Sequence, residues 1–257
     1  MATRIGTSGW QYPDWRGVLY PEGVAQRRWL ELYARSFATV ELNAAFYRPL
    51  PRSVFEGWRD RLPANFVMAV KASRTLTHYR RLRDPRDPVE RMIDAARGLG
   101  DRLGPIRLQL PPTLAAAPEL LAAALTLIPA DVRVAVEPRH ESWWTDPVRS
   151  VLADHNAALC WADRLGTPVT PLWRTADWAY VRFHEGAGES PPRYSESVLA
   201  EWVRRIDRIW EPDRDVYVYF NNDSGGAAVR DAIRFAELAR AAARPVVGGS
   251  ERLPFPL

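Results

Sequence analysis

The chain reads as an α/β protein forming a single TIM-like (β/α)8 barrel, on three observations. Eight apolar runs of strand length recur along its 257 residues, at roughly thirty-residue intervals, the repeat of one strand plus one helix. Segments with helical periodicity lie between most of these runs. The glycine-rich phosphate loop that a doubly wound sheet places after an early strand is missing, since "GTSGW" matches that fingerprint poorly.

Taken in order, the first strand is "RIGTSGW", followed by a helical stripe of Trp29, Leu32, Tyr33 and Phe37. Next come "TVELNAAF" with the stripe Phe55, Trp58 and Leu62, and "FVMAVKAS" with Val89, Met92, Ile93 and Ala96. "PIRLQLPP" precedes Leu120, Leu121, Ala124, Leu125 and Ile128, and "VRVAVEPRH" precedes Val148, Val151 and Leu152. The sixth strand, "AALCWAD", breaks the rhythm: "RLGTPVTPLWRTAD" carries two prolines and no helical face, which predicts a loop crossover. "WAYVRFH" with Val198, Trp202, Val203 and Ile206, and "DVYVYFNND" with Ala228, Ala232, Phe235 and Leu238, complete the set. No linker divides the chain, so residues 1–257 are expected to form one barrel domain, with a tail of about twelve residues.

Composition narrows the class. With 47% apolar and 26% charged residues, the chain is neither disordered nor fibrous. The single cysteine, Cys160, excludes an intrachain disulfide and a zinc site built on several thiolates. "MATRIGTSGW" lacks the apolar core of a signal peptide, and "LAAAPELLAAALTLIP" is too short, and too broken by Pro118 and Glu119, to span a membrane. The expected location is the cytoplasm, with no membrane association; no oligomeric state is assigned. The net charge of +4 comes with arginine used almost everywhere, Lys71 being the only lysine. By itself that charge is weak support for a nucleic-acid partner.

In such barrels the chemistry sits at the C-terminal ends of the strands. Each strand here turns polar or aromatic at that end: Ser8 and Trp10, Glu41 and Asn43, Lys71 and Ser73, Gln109, Glu137 and Arg139, Asp163, Arg182 and His184, then Asn221, Asn222 and Asp223. Residues two apart share a strand face, so Glu41 with Asn43, Lys71 with Ser73, Glu137 with Arg139, and Arg182 with His184 point into the mouth together. Several charges in one cavity are costly unless paired or met by a ligand. Glu41, Lys71, Glu137 and His184 are therefore the candidate catalytic residues. Ser8, Trp10, Asn43, Tyr47, Ser73, His78, Gln109, Arg139, His140, Trp161, Asp163, Arg182, Asn221, Asn222 and Asp223 are candidate ligand contacts.

Lys71 is expected to face Glu41 and Glu137, as an ion pair, an anion anchor or an amine nucleophile. Removing it should then leave a carboxylate without its partner, whereas Glu137→Gln should abolish activity and keep the fold. Trp10 and Trp161, together with Trp15 and Trp143, fall where a flat ring could stack on a sugar or base. Four scattered histidines, His78, His140, His155 and His184, do not suit a multinuclear zinc centre. No cofactor is expected; a single divalent ion on Glu41, Glu137, Asp163 and His184 is left open.

The same residues carry a family resemblance. "GTSGWQYPDWRGVLYP", "VELNAAFYRPLP", "VKASRTLTH", "LQLPP", "VEPRHESWW", "YVRFHEG" and "YVYFNND" together resemble the YecE-like family, known as domain of unknown function 72. The match runs from Ile5 to the last helical stripe. It implies a TIM-like fold, similar to the superfamily that includes xylose isomerases and endonuclease IV, with no established activity. Two functions stay open: an enzyme acting on a small polar, phosphate-bearing or sugar-like ligand, or a nucleic-acid binder, possibly endonuclease-like, with Arg16, Arg74, Arg80, Arg81 and Arg83 on phosphates.

Overall fold

Ten strands, nine of them parallel, organise the computed structural model, which describes residues 2–188 and 191–248. The strands are β1 (Thr3–Thr7), β2 (Thr39–Leu42), β3 (Val67–Lys71), β4 (Leu103–Gln109), β5 (Val134–Glu137), β6 (Ala158–Arg164), β7 (Thr167–Pro168), β8 (Ala179–Phe183), β9 (Val216–Phe220) and β10 (Val246–Val247). Their order is β10-β1-β9-β8-β6-β5-β4-β3-β2, with β7 folded back antiparallel on β6. This is a curled parallel sheet of TIM-like form. Strands buried on both faces need apolar side chains on both, which is why they read as unbroken runs and not as alternation.

The helices cover the outer face: α1 (Trp29–Ser36), α2 (Ala44–Tyr47), α3 (Arg52–Arg59), α4 (Arg86–Ala96), α5 (Pro118–Thr126), α6 (Asp146–Asp154), α7 (Glu196–Asp207) and α8 (Ala227–Ala241). No helix lies between β6 and β8, as the two prolines predict; the chain turns through Leu165 and Gly166, both at positive φ, into β7. The stretch expected as a tail begins with β10, paired to β1, and residues 249–257 lie outside the described residues. No helix among the described residues is long and apolar enough to cross a membrane.

Inside the sheet, size is divided by wall. β3, β5 and β6 contribute Ala69, Ala135, Ala158 and Cys160, while β8, with the residue just before it, and β9 contribute Trp178, Tyr180, Tyr217 and Tyr219. Small residues on one wall make room for the large rings of the other, so the floor of the mouth is packed and dry. At the N-terminal end Arg133 donates to Asp215 at 2.7 Å and stacks near Trp178 and Tyr217.

The β1–β2 seam is joined differently from the others, by one parallel bridge between Ser8 and Glu41. Below it, the hydroxyl of Tyr33 from α1 accepts from the Thr7 N–H at 2.9 Å and donates to the Thr39 carbonyl at 3.0 Å. A side chain here replaces a ladder bond. Gly6 makes this possible, because a Cβ there would stand 2.1 Å from the Thr39 carbonyl oxygen and 2.9 Å from the Tyr33 hydroxyl. Tyr33→Phe should therefore cost about 1–3 kcal/mol, the penalty of leaving buried backbone groups without partners. Urea unfolding of the variant measures it, and faster amide exchange at Thr7 is the accompanying local sign.

Candidate functional site

Four strands deliver a closed ring of alternating charge to the mouth. Glu41 lies one residue before the end of β2, Arg107 lies on β4, Glu137 ends β5 and Arg182 lies on β8, and all four side chains are buried. Arg107 donates to Glu41 from Nε at 2.7 Å and from Nη2 at 3.2 Å, and reaches Glu137 with Nη1. Arg182 donates to Glu41 at 2.9 Å and to Glu137 at 3.3 Å. Each carboxylate thus holds both guanidinium groups. Glu41 also accepts from Ser8 at 2.6 Å and from the Tyr180 hydroxyl at 2.5 Å. Asn43 donates to Ser8 at 2.9 Å, and Asn221 accepts from Arg182 at 3.0 Å.

Burial alone would raise the carboxylate pKa values, but the two arginines outweigh it. Glu41 is held at about 2, helped by Ser8 and Tyr180, and Glu137 well below the usual carboxylate range by Arg182, Arg107 and His184. These are permanent anions, poorly suited to take up a proton near neutrality.

Around this ring stands a second, more accessible set. His184 bonds Glu137 through Nε2 at 2.9 Å, and Arg139 donates to the same carboxylate oxygen at 3.0 Å. Burial and the neighbouring Arg182 lower the His184 pKa, so near neutrality the imidazole is uncharged, with its Nε2–H directed at the carboxylate. Lys71 lies on β3 in register with Arg107, and its ammonium sits 3.8 Å from the centroid of the Phe46 ring of α2. The expected Lys71–carboxylate pair does not form, because both carboxylates are taken by arginines. Burial, Arg107 and Arg182 push the Lys71 pKa down to about 7 against the opposing pull of Glu41 and Glu137. His78 packs edge-on to Phe46 and bonds Thr77 at 2.9 Å; burial and the charges of Lys71 and Arg139 lower its pKa. A cleft of about 560 Å³ opens beside the ring, walled in part by Glu137, Arg139, Trp144, Thr170, His184 and Asn221.

Several sequence expectations are corrected by strand parity. Ala158, Cys160 and Ala162 face inward on β6, so Trp161 and Asp163 face outward, beneath α7. Asp163 there accepts from Trp202 at 2.7 Å and from the Gly166 N–H at 2.9 Å, and the Trp161 indole donates to the Trp173 carbonyl. Asn222 likewise turns outward to Asp231 and the Pro192 carbonyl. Trp10, Trp15 and Trp143 are buried in the outer core, Trp10 edge-on to Trp58. His140 caps the single turn Glu141–Trp143 by accepting from the Ser142 N–H. The four residues considered for one divalent ion do not converge, since Asp163 is on the other face. No group of three or more His, Cys, Asp or Glu side chains among the described residues is arranged to hold a metal ion.

Ser73 accepts from the Thr75 N–H, and Gln109 is 3.5 Å from Arg107. Tyr47 is exposed on α2. Asp223 follows β9, with burial pushing its carboxyl up to about 7. Sequence reasoning missed Arg107, Tyr180 and Phe46. The available signal was an arginine inside the apolar run "PIRLQL", two residues before Gln109 and on the same strand face.

Two stability predictions follow from the ring. Glu137→Gln keeps the shape but leaves two buried guanidinium groups sharing one carboxylate, so it should lose about 3–5 kcal/mol, against the expectation of an intact fold. Lys71→Met removes a desolvated cation that has no carboxylate partner and should unfold at the parent temperature or above; denaturant melts of both variants decide the contrast. The acid limb has a definite sign. With Glu41 at about 2 in the folded protein and about 4.3 in the unfolded chain, its contribution is present above about pH 4.5 and is lost as pH falls toward 2. Melting temperatures across that window should fall in the parent and fall less in Glu41→Gln.

The comparisons agree with this architecture. A family model described as "Protein of unknown function DUF72" matches residues 4–254. The UPF0759 protein YunF of Bacillus subtilis (strain 168) is 28% identical over 266 residues, covering 91% of this chain and 93% of its own length. The UPF0759 protein YecE of Escherichia coli (strain K12) is 32% identical over 144 residues, covering 54% of this chain and 49% of its own length. A solved DUF72 family structure from Thermotoga maritima MSB8 superposes with a TM-score of 0.81 at 26% identity, covering 93% of this chain and all of that one. A second, from Enterococcus faecalis V583, has a TM-score of 0.74 at 19% identity and shows the shared fold. With a family match over nearly its whole length and a barrel that superposes on a solved member, the chain belongs to the DUF72 family.

Proposed function

We propose that the chain is an enzyme whose barrel mouth binds a small polar, anion-bearing substrate. The observation that carries this reading is the charge of the mouth. Arg107, Arg139 and Arg182 all converge on the carboxylates Glu41 and Glu137, leaving a surplus of positive charge before Lys71 is counted. The buried charges Arg107, Arg182, Glu41 and Glu137 balance one another, so the surplus rests on Arg139 and the half-buried Lys71, where an anionic ligand can meet it. Arg139 and Lys71 are the groups with access to solvent, and the adjoining cleft of about 560 Å³ is of small-molecule size.

The reading gives the carboxylates a positioning role. Glu137 directs the Nε2–H of His184, which leaves Nδ1 as the lone-pair nitrogen, 3.4 Å from Arg182 Nη1. Glu41 and Glu137 together hold Arg107 and Arg182 rigid, so the field they present to an incoming anion is set before it arrives. A second reading, nucleic-acid binding, draws on the exposed rings of Tyr47, at the end of α2, and Tyr79, at the end of the helical turn Thr75–Tyr79, the latter ring 5.3 Å from the Arg74 guanidinium.

Calorimetric titration with inorganic phosphate tests the first reading. Saturable binding is expected, weakened about tenfold or more in Arg139→Ala. Absence of saturable binding would remove the anion site. A separate titration with single-stranded oligonucleotide across a salt series addresses the second reading, for which affinity must fall steeply as salt rises.

A further inference from the structure

We propose that Lys71 is a carbonyl-reactive amine, which condenses with the aldehyde or ketone carbon of a small anionic oxo compound bound in the mouth. This rests on the anion-site reading for the charged part of the substrate, and adds the reaction class. Three observations converge on it. Lys71 is the only lysine of the chain, in a sequence that uses arginine at every other such position. A guanidinium stays charged and is no nucleophile, so amine chemistry is what arginine could not supply.

Its environment also withholds the usual lysine partners. The ammonium lies over the Phe46 ring, and Glu41 and Glu137 are both engaged by Arg107 and Arg182. Lys71 is half-buried beside these guanidinium groups but not sealed from solvent. The charged and titratable groups facing it are Arg107 and Arg182, which disfavour its proton, Glu41 and Glu137, which favour it, and His78 beside Phe46. The balance leaves a large share of free amine near neutral pH.

The chemistry closes without a further reagent. The nitrogen lone pair of Lys71 attacks the carbonyl carbon, the C–N bond forms, and the oxygen takes a proton to give a carbinolamine. Loss of that hydroxyl with a proton, as one water molecule, leaves the imine, and no group is oxidised or reduced. The protonated imine keeps the positive charge beside the substrate's own anionic group.

Reductive trapping tests this directly, because the chain offers only Lys71 and the N-terminal amine as sites. The full chain is incubated with dihydroxyacetone phosphate, glyoxylate or uncharged glycolaldehyde, reduced with cyanoborohydride, digested and mapped by mass spectrometry. The expected result is an adduct at Lys71, formed about tenfold or more faster in the folded chain at pH 7 than in urea, where the amine returns to its ordinary pKa of about 10.4. Labelling should fall as pH drops below about 7, and Lys71→Arg should show only the N-terminal adduct. A folded chain that labels at its N-terminus but not at Lys71, or no faster at Lys71 than in urea, would overturn the proposal. Phosphate binding with no Lys71 adduct sinks this inference and spares the anion site; Lys71 labelling by glycolaldehyde without phosphate binding does the reverse.

Discussion

The interaction on which the rest of the molecule depends is the buried ring of Glu41, Arg107, Glu137 and Arg182. Each of its members comes from a different strand, and each carboxylate accepts from both guanidinium groups. Four charges withdrawn from water stay tolerable only while the set is complete and its geometry is good. The ring therefore ties the relative heights of β2, β4, β5 and β8, and a slip of one residue in any of them would turn a charge into the outer core. Arginine suits these positions because its planar fork can serve two carboxylates at once and is weakly hydrated.

Beneath the ring the tyrosine and tryptophan wall keeps the floor dry, and this raises the stakes of the charges above it. Tyr180 belongs to both layers, its ring packed near Tyr219 and its hydroxyl given to Glu41. Above the ring the arrangement loosens, with Arg139, His184 and Lys71 each touching the ring or its field while facing the mouth. The two layers divide the labour. The ring's own charges are fixed, and the two groups whose protonation can change near neutrality, His184 and Lys71, lie outside it beside Arg139.

The departures from the regular repeat fall next to this site. The crossover after β6 has no helix, and its residues Val169 and Thr170, with Arg164 at the end of β6, line the cleft beside Glu137 and His184. At the β1–β2 seam, Gly6 and the Tyr33 hydroxyl allow the two strands to meet directly below Ser8 and Glu41. Both features bear on the mouth. One gives it a side opening, and the other closes the sheet under its most buried carboxylate.

The sequence alone determined the strand–helix repeat, the missing helix after β6 and the rim on which the polar residues gather, because these depend on local periodicity and on proline. It also marked Lys71 as an exception, since composition is a property of the chain and not of its fold. What the tertiary structure decided was partnership and parity. Asp163 and Trp161 share a strand with Cys160, and only the packing of small β6 residues against the large β8 and β9 rings shows which set faces inward. Arg107 sits within an apolar run and draws no notice until its neighbours across the barrel are known. Lys71 reads as the partner of Glu41 and Glu137 for as long as that competitor is unseen. Which cation wins a carboxylate depends on distances between strands far apart in the chain, and no local pattern carries that information.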